Sequence, residues 1–128
     1  MRLLLDTHVL LALIEPQIFE LPSGLASRLI SAESQCVLSV ASLWEIAIKW
    51  RLGKLKLTSG PAALPKLLHG LGITILAIDE HHALADVDPE PRTRDPFDRL
   101  LLAQCQTEGL KLVTIDRALV DHPLALRP

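Results

Sequence analysis

The sequence predicts an α/β fold with a parallel sheet, and two observations support this. Short apolar segments of strand character alternate with segments of helical periodicity along the 128 residues. Strands that alternate with helices are joined by right-handed crossovers, which give a parallel sheet covered on both faces. Hydrophobic residues make up 49% of the chain and aromatic residues only 3%. We therefore expect an aliphatic core.

The first half of the chain contains two predicted strands, and a helix follows each of them. The predicted elements are a strand at 2–5 (RLLL), helices at 9–14 and 25–33, a strand at 36–40 (CVLSV) and a helix over ASLWEIAIKWRLG. Pro16 ends the first of these helices, since proline cannot continue a helix. Gly53 ends the last one, because glycine is the preferred residue just past a helix.

The second half continues the alternation. The predicted elements are a small helix around 62–69, a strand at 73–78 (ITILAI), a helix in DEHHALADV, a loop at 89–94, a helix at 95–109, a strand at 110–115 (LKLVTI) and a helical turn in DRAL. The helix at 95–109 has clear boundaries: Asp95 at the N-cap, Pro96 at the first position and Gly109 after the end. We expect residues 1–128 to form a single domain.

Composition excludes several classes of protein. The net charge is −2 and Tyr is absent, so no general basic field or set of aromatic rings indicates nucleic-acid binding. Cys36 and Cys105 lie far apart in apolar segments, which is typical of reduced core residues and not of a disulfide or a zinc site. Asp6 and His8 interrupt the N-terminal leucines too early for a signal peptide or a membrane span. We expect a soluble, cytoplasmic protein without membrane contact.

Four acids lie where predicted strands lead into helices. Asp6 directly follows RLLL, Asp116 directly follows LKLVTI, Glu45 lies early in the helix after CVLSV, and Asp98 lies in the first turn of the helix at 95–109. Ligands bind beyond the carboxyl ends of parallel strands. Clustered carboxylates repel one another unless a cation lies among them. Oxygen donors without Cys or repeated His favour Mg²⁺ or Mn²⁺ over Zn²⁺, and such ions activate water for phosphodiester hydrolysis.

Each acid also has a structural alternative. Asp6 and Asp116 are suitable turn or N-cap residues. Glu45 has Lys49 four residues later as a partner for an exposed ion pair, although its apolar neighbours favour partial burial. Asp98 near a helix N-terminus is favoured by the helix dipole. Because four such accidents would not be expected at one sheet edge, the functional interpretation is preferred.

Three segments carry a family resemblance. LLLDTHVLLALI, SVASLWEIAIKWRLGKL and RDPFDRLLLAQCQTEGLKLVTID resemble PIN-domain ribonucleases, and among them the VapC-type toxins of bacterial toxin–antitoxin pairs. The resemblance covers nearly the whole chain. It implies a three-layer α/β/α fold with a parallel sheet of about five strands. It also implies Mg²⁺- or Mn²⁺-dependent endonucleolytic cleavage of RNA, a small antitoxin whose tail covers the site, and a homodimer.

The resemblance also implies roles for individual residues. The acidic site comprises Asp6, Glu45, Asp98 and Asp116, of which Asp6, Asp98 and Asp116 are the metal ligands, and Thr7 and Thr114 support it through hydroxyl hydrogen bonds. The fourth acid varies most in the family, so Asp116 is expected to tune metal binding without being essential. Asp95 is an additional acid, assigned to the N-cap with a supporting role near the site as the alternative.

Basic residues and histidines are the remaining candidates. Arg92, Arg94 and Arg99 flank the third motif and are candidates for holding RNA phosphates, whereas Lys49, Arg51, Lys54 and Lys56 have a solvated helix face as their alternative. His81 and His82 are expected to be solvated in the first turn of a helix. His8 is expected either to contact substrate or partner or to be structural. The apolar segment PAALPKLLHGLG is expected to form a dimer or antitoxin surface, being too short and broken for a core helix.

Two rival functions remain to be weighed. A catalytically silent PIN-like module that binds an antitoxin or RNA is disfavoured by the intact acids. A phospho-accepting receiver domain requires adjacent acids after an early strand and a lysine after a late one. Here Thr7 follows Asp6, and an aspartate follows LKLVTI. The receiver interpretation therefore fails.

Overall fold

A four-stranded parallel sheet is the centre of the fold. The computed structural model describes residues 1–127. The strands are β1 (Arg2–Leu5), β2 (Gln35–Ser39), β3 (Thr74–Leu76) and β4 (Lys111–Val113). Their order is β3-β2-β1-β4, and every pair is parallel. The first strand of the chain is therefore an inner strand, with Leu4 opposite both Val37 and Leu112.

The outer edge of β4 is partly covered by the chain near its C-terminus. Leu112 forms an isolated parallel bridge with Ala125. The Leu112 N–H donates to the Leu124 carbonyl, and the Leu126 N–H donates to the Leu112 carbonyl, both at 2.8 Å. This segment lies where a fifth strand would lie, but it makes one bridge and not a ladder. The described residues thus contain four strands, slightly fewer than the predicted number.

Six helices accompany the sheet. They are α1 (Thr7–Ile14), α2 (Leu25–Leu29), α3 (Val40–Arg51), α4 (Leu64–Gly70), α5 (Glu80–Leu84) and α6 (Pro96–Glu108), with a 3₁₀ turn at Pro61–Ala63 before α4. Several are shorter than predicted at their ends. The helical turn expected in DRAL is a hydrogen-bonded turn, in which the Val120 N–H donates to the Asp116 carbonyl at 3.0 Å, and no helix follows it up to residue 127.

The core has two parts, one on each face of the sheet. Successive side chains of a strand point to opposite faces. Leu3 and Leu5 accordingly pack in a cluster with residues of α1 and α4, whereas Leu4 packs in a second cluster with residues of α6. This arrangement confirms the predicted three-layer α/β/α architecture with a parallel sheet.

The segment PAALPKLLHGLG contributes to this core. Leu64 and Leu68 of α4 are 3% and 0% exposed and belong to the first cluster. The expectation that the segment is too broken for a core helix is therefore wrong, since one turn of α4 is enough to bury both leucines. Leu67 and Leu71 of the same segment remain exposed.

A buried histidine connects α5 to α6. His82 is 2% exposed, its Nδ1 accepts from the Asp79 N–H at 3.1 Å, and its Nε2 lies 2.9 Å from a Glu108 carboxylate oxygen. The expectation that both histidines are solvated is wrong for His82 and holds only for His81. The reason is a capping box: Asp79 caps α5 and turns the side chain at the third helical position back toward its own N–H.

Two further properties follow from the packing. Cys36 and Cys105 are both free and buried. Burial raises the pKa of the Cys105 thiol to about 12, which keeps it in the unreactive thiol form. Among residues 1–127, none of the helices has the length and apolar character needed to cross a membrane.

We predict that His82→Ala destabilises the protein far more than His81→Ala does. Removing the buried ring leaves the Asp79 N–H without its acceptor and Glu108 without its partner, which should lower the free energy of unfolding by about 2–4 kcal/mol. The exposed neighbour should change it by less than about 0.5 kcal/mol. Urea denaturation of both variants checks this, and equal midpoints would contradict the structural role of His82.

Candidate acidic site at the carboxyl edge of the sheet

Asp6 lies at the centre of the acidic site, immediately after the inner strand β1. It occupies the N-cap position of α1, yet its side chain makes no capping hydrogen bond. Instead, the Thr114 hydroxyl donates to Asp6 Oδ2 at 2.7 Å. Asp6 is only 5% exposed. Burial raises the pKa of its carboxyl, and the Thr114 hydrogen bond opposes that rise only in part.

Glu45 is held beside Asp6 by two groups. The Thr7 hydroxyl oxygen lies 2.7 Å from Glu45 Oε1 and 2.9 Å from the Ser42 hydroxyl oxygen. A carboxylate can only accept, so Thr7 donates to Glu45, and Ser42 is the donor to Thr7. On its other side, Glu45 Oε2 forms an ion pair with Lys49 Nζ at 3.0 Å. Glu45 is therefore both paired with Lys49 and largely buried, with its side chain 15% exposed.

Asp98 lies in the first turn of α6, and its surroundings raise its pKa. Asp95 occupies the N-cap and accepts from the Phe97 N–H at 2.9 Å, which leaves Asp98 free of the capping role. The Thr93 hydroxyl donates to Asp98 Oδ2 at 3.0 Å. Burial raises the pKa of Asp98 to about 6; the Thr93 hydrogen bond opposes the rise.

The charges of neighbouring acids also act on Asp98. Asp95, Asp6 and Asp116 each raise its pKa by repulsion. A helix N-terminus alone would favour the ionised carboxylate. The dominant influence on Asp98 is therefore burial in a region of negative charge, and the helix dipole does not account for it.

Asp116 has fewer constraints than the other three acids. It is exposed, and its Oδ1 accepts from the Ala118 N–H at 2.9 Å, the local turn contact that the structural alternative described. Its own N–H donates to the Thr114 hydroxyl oxygen at 3.0 Å. Thr114 thus contacts both Asp6 and the backbone of Asp116.

The four acids form one connected group with Asp6 in the middle. The charge of Glu45 raises the pKa of Asp6, and the charges of Asp6 and Asp116 raise the pKa of Asp98. His8 is exposed, and its charge lowers the pKa of Asp6, so His8 also lies near this group. The elements that bring them together are the ends of β1 and β4 and the N-terminal halves of α3 and α6.

The three candidate arginines differ in their surroundings. Arg99 forms an ion pair with Glu90 at 2.6 Å and so has an intramolecular partner. Arg92 and Arg94 are exposed and, among residues 1–127, form no side-chain hydrogen bond or ion pair. Only these two are free to meet a phosphate without first breaking an ion pair.

Sequence reasoning missed two residues that hold the acids in place. Thr93 and Ser42 have hydroxyls that contact acids or their partners. Lys49 was considered both as an ion-pair partner of Glu45 and as part of a basic cluster, and the structure shows the ion pair. Nothing in the sequence marks Thr93 or Ser42, because the direction in which a hydroxyl points is set by the folded structure.

The donor set fits a hydrated hard cation. In the described part of the chain, no three His, Cys, Asp or Glu side chains are placed to hold a metal ion between them. Mg²⁺ is usually bound through one or two carboxylates and keeps several waters, so a tight cage is not required. The carboxylates around Asp6 offer oxygen donors, and repulsion from neighbouring acids adds to the effect of burial in raising the pKa of Asp98. A divalent cation would relieve this repulsion.

Comparisons with known proteins identify the family. The model of the PIN domain family matches residues 3–123. Among solved structures, the chain is similar to the VapBC2 complex from Rickettsia felis, solved bound to a DNA fragment from their promoter. That match has a TM-score of 0.68 and 17% sequence identity, and it covers 98% of this chain and 96% of the other. A comparison with curated proteins found no match.

These findings agree with the resemblance that the three motifs indicated. The structural match shows a shared fold, and the family model spans both ends of the acidic group, from β1 to the turn after β4. PIN domains are generally nucleases. The chain belongs to the PIN domain family.

Proposed function

We propose that this PIN domain is a Mg²⁺- or Mn²⁺-dependent endoribonuclease that acts as the toxin of a toxin–antitoxin pair. The observation that carries the proposal is the burial of the Asp6 carboxylate among other acids at the carboxyl ends of the strands. Such a charge is costly without a compensating cation. A cation site in a nuclease explains why the acids are clustered. Roles as turn or N-cap residues do not explain it.

Three carboxylates are assigned to the cation. Asp6, Asp98 and Asp116 would hold it, one or two of them directly and the others through bound water, with Asp116 in the least constrained position. When bound, a divalent cation neutralises these charges, activates water and stabilises the negative charge of phosphodiester hydrolysis. The hydroxyls of Thr114 and Thr93 fix the orientations of Asp6 and Asp98 through one oxygen each.

Glu45 has a different assignment. Its two oxygens are engaged by the Thr7 hydroxyl and by the Lys49 ammonium group. This leaves a carboxylate fixed in place beside Asp6, with the positive charge of Lys49 next to it. We assign Glu45 to orienting the attacking water and not to direct binding of the ion.

RNA is the assigned substrate on the strength of the family resemblance. Arg92 and Arg94 lie in the loop that leads into α6, and their guanidinium groups are exposed. Cations at this position can hold phosphates beside the acids, which would otherwise repel the RNA backbone. Such contacts position the substrate but do not read its sequence.

A small antitoxin is the assigned protein partner, and a homodimer is the assigned assembly. The support is that the similar solved structure is a VapBC2 complex. Leu67 of α4 and Leu71, which directly follows α4, are 43% and 54% exposed and provide apolar surface for either contact. The assigned location is the cytoplasm, where RNA and antitoxin are both present.

We predict that the purified protein cleaves single-stranded or looped RNA only with Mg²⁺ or Mn²⁺, and that Asp98→Asn abolishes cleavage. The substitution removes a negative oxygen ligand from a hard cation, while the amide can still accept the Thr93 hydrogen bond. Asp95→Asn is the matched control, since it makes the same charge change three residues earlier and asparagine is an equally good N-cap. It should retain activity. The assay is cleavage of a labelled oligonucleotide with metal and with EDTA.

Two results would contradict this proposal. Cleavage that survives EDTA and repeated purification would exclude the metal-dependent mechanism. No cleavage of any RNA, together with antitoxin or RNA binding, would instead favour the catalytically silent binding module.

We predict that Asp98→Asn stabilises the metal-free protein at neutral pH. An Asp carboxyl has a pKa of about 3.9 in an unfolded chain. The carboxyl of Asp98 has a pKa of about 6 in the folded protein. The folded protein therefore binds this proton more tightly, and its stability falls as pH rises from about 4 to about 6. The neutral amide escapes a destabilisation of up to about 3 kcal/mol and loses about 0.3–1 kcal/mol of dipole interaction.

Thermal melts in EDTA and in Mg²⁺ check this difference. In EDTA the variant should melt higher than the parent near pH 7.5, and the advantage should disappear as the pH falls below about 4, where the parent carboxyl becomes protonated in both states. Added Mg²⁺ should raise the melting temperature of the parent more than that of the variant. If the variant melts at a lower temperature than the parent in EDTA at neutral pH, the main effect of Asp98 is its favourable interaction with the helix dipole.

We predict that Thr114→Val lowers RNA cleavage by about 10- to 100-fold, as is typical when a group that orients a metal ligand is removed. The substitution keeps the side-chain shape but removes the hydroxyl that donates to Asp6, so the pKa of Asp6 should rise and the carboxylate should bind a cation less well. Thr114→Ser keeps the hydroxyl and should stay close to the parent. The measurement is the Mg²⁺ concentration required for half-maximal cleavage, and equal values for all three proteins would refute the role of Thr114.

A further inference from the structure

We propose that Trp44 is a stacking platform for a nucleobase of the RNA next to the cleaved bond. The inference rests on the proposed nuclease function and adds a residue that binds substrate. It begins from a large apolar side chain that the fold does not use: Trp44 is 62% exposed although it lies in the middle of α3.

Trp44 and Phe97 form an aromatic pair on the two helices that carry Glu45 and Asp98. Their ring centroids lie 5.7 Å apart and the ring planes are inclined at 62°, an edge-to-face arrangement. Each ring belongs to the residue directly before a site acid, Trp44 before Glu45 and Phe97 before Asp98. The pair therefore connects α3 and α6 within the same turns that carry Glu45 and Asp98.

The platform is held in a fixed position. Phe97 is only partly exposed and packs on the second core cluster, so it supports the indole ring from the protein side. The first turn of α3 is anchored by the Ser39 hydroxyl, which accepts from the Ala41 N–H at 3.0 Å, and Ile46 is fully buried. A preorganised ring loses little conformational entropy when a base stacks on it.

The surroundings favour a nucleobase as the occupant. Arg94 lies three residues before Phe97 in the chain and is exposed, so a phosphate held there and a base on Trp44 are contacts that one RNA strand can make together. Bases that stack on aromatic side chains in this way gain binding whatever their sequence. The competing occupant is a protein surface, either a second copy of the chain or an antitoxin.

Trp50 provides a matched control on the same helix. It is 46% exposed and is the only other tryptophan in the sequence. Six residues of α-helix place it roughly 120° around the helix from Trp44 and about 9 Å further along the axis. Its ring lies against Gly60, since a Cβ added there would be 3.8 Å from the ring. Trp50 thus faces another part of the surface.

Fluorescence distinguishes the two rings without requiring cleavage. In an Asp98→Asn background with Mg²⁺, Trp50→Phe leaves Trp44 as the sole fluorescent tryptophan, and Trp44→Phe leaves Trp50. Titration with a single-stranded RNA decamer should quench the emission of Trp44 to saturation and change that of Trp50 by less than a tenth as much. Quenching of neither ring, or of Trp50 alone, would overturn the inference.

Kinetics supply a second readout. Trp44→Ala should raise KM for single-stranded RNA by about 5- to 100-fold with little change in kcat, because stacking contributes binding energy alike before and during the reaction. Trp44→Phe should recover much of the loss, and Trp50→Ala should stay within about twofold of the parent, as expected for a surface position away from the site. An unchanged KM in Trp44→Ala would overturn the proposal.

The remaining outcomes are also decisive. If Trp44→Ala converts a dimer to a monomer in size-exclusion chromatography and RNA leaves the emission of Trp44 unchanged, the ring belongs to an interface between copies and the inference is wrong. If the parent protein cuts no RNA, the proposed nuclease function fails by itself. The fluorescence titration then still decides whether Trp44 binds a base.

Discussion

The burial of the Asp6 carboxylate at the end of an inner strand is the constraint on which the rest of the site depends. Its position follows from topology, since β1 lies between β2 and β4 and the residue after it cannot avoid the interior of the carboxyl edge. An ionised group there needs partners. Within the described residues it receives one hydroxyl hydrogen bond and no direct ion pair. The pKa of Asp6 is raised because these contacts offset the effect of its burial only in part.

Threonine hydroxyls hold three of the four acids. Thr114 donates to Asp6, Thr7 to Glu45 and Thr93 to Asp98, each through a single carboxylate oxygen. A hydroxyl fixes the orientation of a carboxylate without cancelling its charge, as a lysine or arginine would. The negative charge of these carboxylates is thereby preserved. Glu45 is the exception, since its carboxylate also forms an ion pair with Lys49. This difference is the basis for giving Glu45 a separate role.

Local signals in the sequence were sufficient for the layers and for the positions of the acids. Asp6 was predicted from the end of RLLL, and Asp98 from the helix start that Asp95 and Pro96 mark, because strand ends and caps are encoded by adjacent residues. The contacts of Thr93, the burial of His82 and the pairing of Arg99 with Glu90 were not predicted. These contacts depend on the direction in which each side chain points and on its neighbours in the folded structure. The predicted number of about five strands was slightly too high for a related reason. The segment beside β4 forms a single bridge, and a single bridge has no sequence pattern of its own.

The pairing of the first strand with the last has a consequence for synthesis of the protein. Asp6 leaves the ribosome early, but the hydroxyl that orients it belongs to Thr114, 108 residues later. β1 can pair with β2 once both have emerged, whereas its other neighbour, β4, emerges only after β3 and α6. Contacts of such large sequence separation form late, because the chain between them must be closed first. Chains that stop before β4 therefore lack an assembled acidic site, and during synthesis the site forms only after β4 has emerged.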